Sequence, residues 1–187
     1  MNNQALIRQS FIILVFACLT GSLVFGAEKY TAVAEVRDAD GKPHTAPVVI
    51  SLDRVVTTAE RERLLAAFQT GGADALKKAL AAQASLGFIE AGQARVPVKY
   101  AFPHEMGGGK SLTIVSDTPM AHIGGDIPDA KPKEGFDFTF ALLILDANGK
   151  GRGEIAPAAK LKLRSDGALT TEDYGAKVIW LHNVSRK

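Results

Sequence analysis

The stretch HEMGGGKSLTIVSDTP, from His104 to Pro119, gathers residue types that commonly do chemistry. A phosphate-binding loop needs G-x-x-x-x-G-K-[ST] between a strand and a helix. Gly109-Lys110-Ser111 supplies the end of that pattern, but the first glycine would fall at His104. The residues after Ser111, SLTIVSD, have the period of a strand, so no helix N-terminus would face a phosphate. His104-Glu105 opens a zinc-protease motif whose second histidine would fall at Gly108. The four histidines, His44, His104, His122 and His182, are too scattered for the close ligand pairs of structural zinc. In DANGKGRGEIAP, Asp146, Asn148 and Gly151 imitate a calcium loop. Lys150 there takes the place of an oxygen ligand, and Pro157 that of the bidentate glutamate. No G-x-S-x-G surrounds any serine. The sequence thus predicts no catalytic residue, no metal site and no cofactor. It leaves one candidate ligand loop, MAHIGGDIPDAKPKEG, with His122, Asp126 and Asp129 as its polar groups. Long connections on a rigid sheet are where binding concentrates.

The elements that must hold this loop are mostly strands. YTAVAEV (30–36) and PVVISLDRVV (47–56) read as strands around the turn RDADGKP. TTAERERLLAAFQTGG opens with the Thr57-x-x-Glu60 capping box and carries Leu64, Leu65 and Phe68 on one stripe. Gly71-Gly72 ends it, and ADALKKALAAQA restarts with Leu76 and Leu80 one turn apart, which predicts a two-helix hairpin over about 57–84. SLGFIEA, ARVPVKYAF and KSLTIVSD follow as strands, the second showing Val96, Val98, Tyr100 and Phe102 on one side and Pro97 at an edge or bulge. EMGGGK between the last two is a hairpin loop. FDFTFALLILD, with Phe136, Phe138, Phe140, Leu142 and Ile144 on one side, is apolar on both sides in its second half and belongs centrally. IAPAAKLKLRS and AKVIWLHNV complete eight or nine strands, and Trp180 in the last reads as core. The fold class is α+β: a mainly antiparallel β-sandwich or barrel-like sheet with an inserted helix pair.

The N-terminus points to export. A polar start carrying Arg8 leads into an apolar run from Phe11, then small residues, then Glu28-Lys29. That order is a signal peptide over 1–27, cleaved near Gly26 or Ala27 into a secreted or periplasmic domain over 28–187. A retained membrane anchor and a lipoprotein modified at Cys18 are the alternatives. Cys18 is the one cysteine, so the exported domain would stand on its core without disulfides. The net charge of +2 falls to +1 without Arg8, so no basic excess invites nucleic acid, and no second apolar run would span a membrane.

The helix block ERERLLAAFQTGGADALKKAL, the strand LTIVSDTPM, the run FDFTFALLILDANGKGRGEIAPAAKLKL and the closing VIWLHNV together resemble an uncharacterised family of small secreted bacterial proteins. The resemblance covers most of 48–184 and implies a bacterial, exported, β-rich protein. It implies no activity and no site residue.

Three functions fit these observations. The first is a non-enzymatic module binding a protein or small-molecule partner at one end of the sheet. The second is an envelope or extracellular hydrolase using His122, Asp126 or Asp129 as acid and base. The third is a carrier of apolar ligands, needing a barrel with an open, Phe-lined interior.

Overall fold

The computed structural model describes residues 26–38, 40–120, 122–124, 127, 134–174 and 178–187. Strands β1 (Glu28–Arg37) and β2 (Pro43–Leu52) pair around a turn set by Asp38, whose Oδ1 accepts from the Asp40 and Lys42 amides at 3.0 and 2.9 Å. Helix α1 (Thr58–Ala81) follows, then β3 (Gly87–Ala91), β4 (Ala94–Val98), β5 (Tyr100–Met106), β6 (Gly109–Ser116), β7 (Phe138–Asp146), β8 (Lys150–Leu163), β9 (Leu169–Tyr174) and β10 (Ile179–Arg186).

Every pairing is antiparallel, and the strand order is β4-β3-β2-β1-β10-β8-β7-β6-β5, with β9 attached to β8. The two ends of that order are consecutive in the chain. Lys99 joins β4 to β5 and donates its amide to Val115 O of β6 at 2.9 Å. The sheet therefore curls into a nearly closed barrel, which removes most of its open edge.

Register and burial together define the interior. Tyr30, Ala34, Ile50, Ile89, Leu112, Ile114, Leu143 and Leu181 are almost fully buried and share the inward side of their strands. At one end this interior finishes in charge. Glu28 is held by Tyr30 Oη, by Lys110 Nζ at 3.2 Å and by Arg186 Nη1 at 3.1 Å, which ties β1 to β6 and β10. Burial of Glu28 works against its ionisation, but these three donors outweigh it and hold its pKa below the usual range. Burial, and then the same carboxylate, push the Tyr30 phenol far up.

Several elements differ from the sequence expectations. In place of two helices in a hairpin, the chain forms one helical element with a break in it: only Gly72 leaves the helical region, at φ 65 and ψ −154. That conformation is open to glycine alone, so it breaks the axis between the two predicted halves. The strand expected over 94–102 divides at Lys99. Val96 and Val98 face inward before it and Ala101, paired with Ile114, after it, so Tyr100 and Phe102 turn to the outer side. Residues 169–174 form β9, a strand without apolar alternation that the sequence reading passed over.

Candidate functional site

The predicted ligand loop serves the core at the residues that are described. Met120, Ile123 and Ile127 are buried, and Met120 donates its amide to Pro157 O at 2.7 Å. Ile123 O accepts from the Gln93 amide at 2.6 Å and sits so close to the β3–β4 turn that a Cβ on Gly92, itself at φ +58, would meet it at 2.2 Å. His122 is exposed on this segment. Asp126 and Asp129 lie outside the described residues.

A groove forms elsewhere, on the outer side of the barrel wall over β5, β6 and β7. It arises because two additions cover that wall incompletely. Helix α1 approaches from one flank. Its capping box is complete, with Thr57 Oγ1 accepting from the Glu60 amide at 3.2 Å and Glu60 accepting from the Thr57 amide at 2.8 Å. Arg54 grips the same carboxylate with both terminal guanidinium nitrogens, at 2.8 and 2.9 Å. The fork from Arg54 is the main reason that the Glu60 pKa is lowered to about 2. The β8–β9 hairpin approaches from the other flank. β8 changes register around Pro157, the bulge lets its second half leave the barrel, and β9 pairs only with that half.

A hydrogen bond ties the two flanks together: Arg61 Nη2 of α1 donates to Gly167 O of the hairpin at 2.7 Å. Below it lies a cavity of about 330 Å³. Its floor is Tyr100 and Phe102 of β5, Ser111 and Thr113 of β6, and Phe140, Leu142 and Ile144 of β7. The hairpin wall is Arg164, Asp166, Ala168, Leu169 and Thr170. His104 and Met106 line the exposed end, where Met106 is 44% and Ile144 36% accessible.

Arg61 is the polar group at the centre of this arrangement. Its guanidinium lies 4.7 Å from the Phe102 ring centroid, in cation–π contact. Its Nε is shielded from water and has no hydrogen-bond partner among the described residues, while the guanidinium as a whole also interacts with the Tyr100 phenol. Burial pushes the nearby Tyr100 phenol up, and the Arg61 charge pulls the other way. Arg164 and Asp166 pair with each other at 2.8 Å.

His104 and Ser111 stand directly opposite in the β5–β6 register, which is the adjacency that nucleophilic catalysis starts from. Among the described residues no hydrogen bond or ion pair orients the His104 ring. What the groove offers instead is an aromatic and aliphatic surface with one incompletely satisfied cation.

The sequence did carry a trace of this site. Both sides of β7 are apolar, and a strand needs that only where something covers its outer side. Phe140 and Leu142 are the residues so covered, and Ile144 continues their row to the exposed end. Arg61 is hidden in the charge-rich run ERER and has no local signature.

The chain matches no family model, no curated protein and no solved structure. Among the described residues, no helix is long and apolar enough to cross a membrane.

Proposed function

We propose that this chain is an exported, non-catalytic binding module that takes an apolar-bodied small ligand into the groove between α1, the β8–β9 hairpin and the outer side of β5–β7. The supporting observation is the groove itself: a concave, largely apolar space with a few polar groups and a volume at the lower end of ligand sites, about 300–1,000 Å³. Export rests on the signal-peptide pattern of 1–27, with cleavage near Gly26 or Ala27. The carrier reading and the binding-module reading converge here, with the ligand outside the barrel wall rather than within it.

A thermal-shift panel of apolar small molecules tests this. A ligand present at 100 times its Kd stabilises by about 2.7 kcal/mol, which is a rise of several degrees. The Leu142→Glu variant, which places a charge on the groove floor, is expected to lose that rise. If no panel member raises the wild-type transition, or if Leu142→Glu responds equally, the groove is not the site.

A further inference from the structure

Trp180 is the most exposed large apolar side chain among the described residues, at 56%, and it stands on a strand inside the sheet rather than at an edge. Its strand, β10, carries a bulge just beyond it. Between Leu181 and Val184, β10 holds one residue more than either neighbour, β1 or β8. Leu181 and Val184 both stay buried, so His182 and Asn183 are both exposed on the side of Trp180. Asn183 takes a left-handed conformation to allow this, at φ 53. Such conformations are strained outside glycine and collect at ligand sites, as bulges do.

The outer neighbours of Trp180 are Glu35 of β1 on one side and Glu154 of β8 on the other, and Val33 faces His182 in the next row. Glu35 pairs with Arg37 at 2.9 Å and lies 3.6 Å from His182 Nε2, and Glu154 is engaged as well. Charges of both signs are therefore interspersed and compensated around one aromatic ring.

That chemistry narrows the occupant. Two apolar side chains, Trp180 and Val33, do not make the apolar centre of a protein interface burying about 800 Å² a side. A lipid would meet charge on every side of the ring. A simple cation would have to compete with Arg37 for Glu35. A neutral, hydroxyl-rich molecule with an apolar face suits all of these groups. A pyranose whose hydroxyls are equatorial is such a molecule. Its axial C–H bonds, weakly positive, lie on the negative face of an indole, and its hydroxyls radiate to donors and acceptors at the rim. Cross-strand neighbours stand about 5 Å apart, close enough to meet the edge of a sugar stacked on the ring between them.

We infer that the outer side of β1, β10 and β8 binds neutral saccharides with equatorial hydroxyls, one pyranose stacking on Trp180 and its hydroxyls meeting Glu35, Glu154 and Asn183. This site is separate from the groove and does not depend on it.

Trp180 is the single tryptophan, so its emission reads the site directly. Cellotetraose titrated into the purified protein should shift that emission saturably and protect it from iodide. An open platform binds weakly, so a Kd of about 1 mM is expected. Sorbitol, which has the hydroxyls without the ring, should do neither. Tetramethylammonium, the probe for a cation site, should bind at least about tenfold more weakly than cellotetraose. Trp180→Ala, followed by calorimetry, should lose cellotetraose binding while keeping a cooperative unfolding transition. Asn183→Gly suits the left-handed backbone, so it keeps the bulge and removes only the amide; it should weaken binding about two- to tenfold. No saturable change with cellotetraose, an equal change with sorbitol, or unaltered binding in a folded Trp180→Ala overturns the saccharide assignment. Tighter binding of tetramethylammonium overturns it in favour of a cation. Unaltered binding in Asn183→Gly removes the bulge from the site.

Discussion

The barrel has two opposite outer sides, and the chain treats them differently. Over β5 and β7 most outward residues are large and apolar, and α1 and the β8–β9 hairpin lie across them. Over β10 and β1 nothing among the described residues covers the wall. There Trp180 is 56% and Val33 40% accessible, and their neighbours are Glu35, Arg37 and His182 in a surface ion-pair cluster. Trp180 stands in register between Glu35 of β1 and Glu154 of β8. The barrel interior needs neither outer side. What α1 and the hairpin add is a second, one-sided core, and the groove is the part of it that they leave unfilled. Apolar residues on the covered side should therefore carry stability, and those on the bare side should not.

The largest break in this contrast is expected from a pair of aromatic truncations. Phe140→Ala removes a ring that is 3% accessible beneath the cover and should cost about 3–5 kcal/mol in denaturant unfolding. Trp180→Ala removes a larger ring from the bare side and should cost no more than about 1 kcal/mol. Comparable losses would mean that the bare side is part of the core and that the contrast is false.

A smaller effect should come from loosening the cover. Thr57→Ala removes the cap of α1 and should cost about 0.5–2 kcal/mol. Glu60→Gln does related damage with a pH signature. The folded pKa of Glu60, about 2, lies below its ordinary 4.5, so its stabilisation is fully present above 4.5 and is lost as the pH falls towards 2. The stability difference between wild type and Glu60→Gln should shrink across that window. A difference constant from pH 7 to pH 2 would show that the Arg54–Glu60–Thr57 cluster does not fasten the cover.

Much of this fold is local and so was legible. Asp38 and Asp146 make their turns with their own carboxylates, Asp146 Oδ1 accepting from the Asn148 and Lys150 amides at 2.8 and 2.9 Å. The Thr57–Glu60 box sits where its spacing placed it. What stayed hidden depends on pairing across the sheet. Pro97 signals an edge or bulge nearby but not that the inward side changes at Lys99, and that change decides that Tyr100 and Phe102 face the groove. β9 is a strand only because the far half of β8 leaves the barrel to meet it. Trp180 was expected in the core because large aromatics usually are; its position between two glutamates becomes visible only once β1 and β8 are known to flank β10. The loop carrying His122 drew attention by its length, although Met120, Ile123 and Ile127 already gave it apolar anchors.

The smallest expected effect is a null one, and it tests the separation of the two sides most directly. Trp180 is the single tryptophan, so intrinsic emission reports the bare side alone. Strand order puts β10 across the barrel from β5, with the filled interior between. A ligand entering the groove should stabilise the protein while leaving the Trp180 emission maximum and its quenching by iodide unchanged. Interiors packed like crystals can transmit strain, so this outcome is not trivial. If a saturating apolar ligand from the thermal-shift panel shifts the emission or shields Trp180, then either the ligand occupies the bare side or the two sides are coupled through the barrel. Repeating the titration in Leu142→Glu separates those cases, because only a ligand seated at Trp180 would still be seen there.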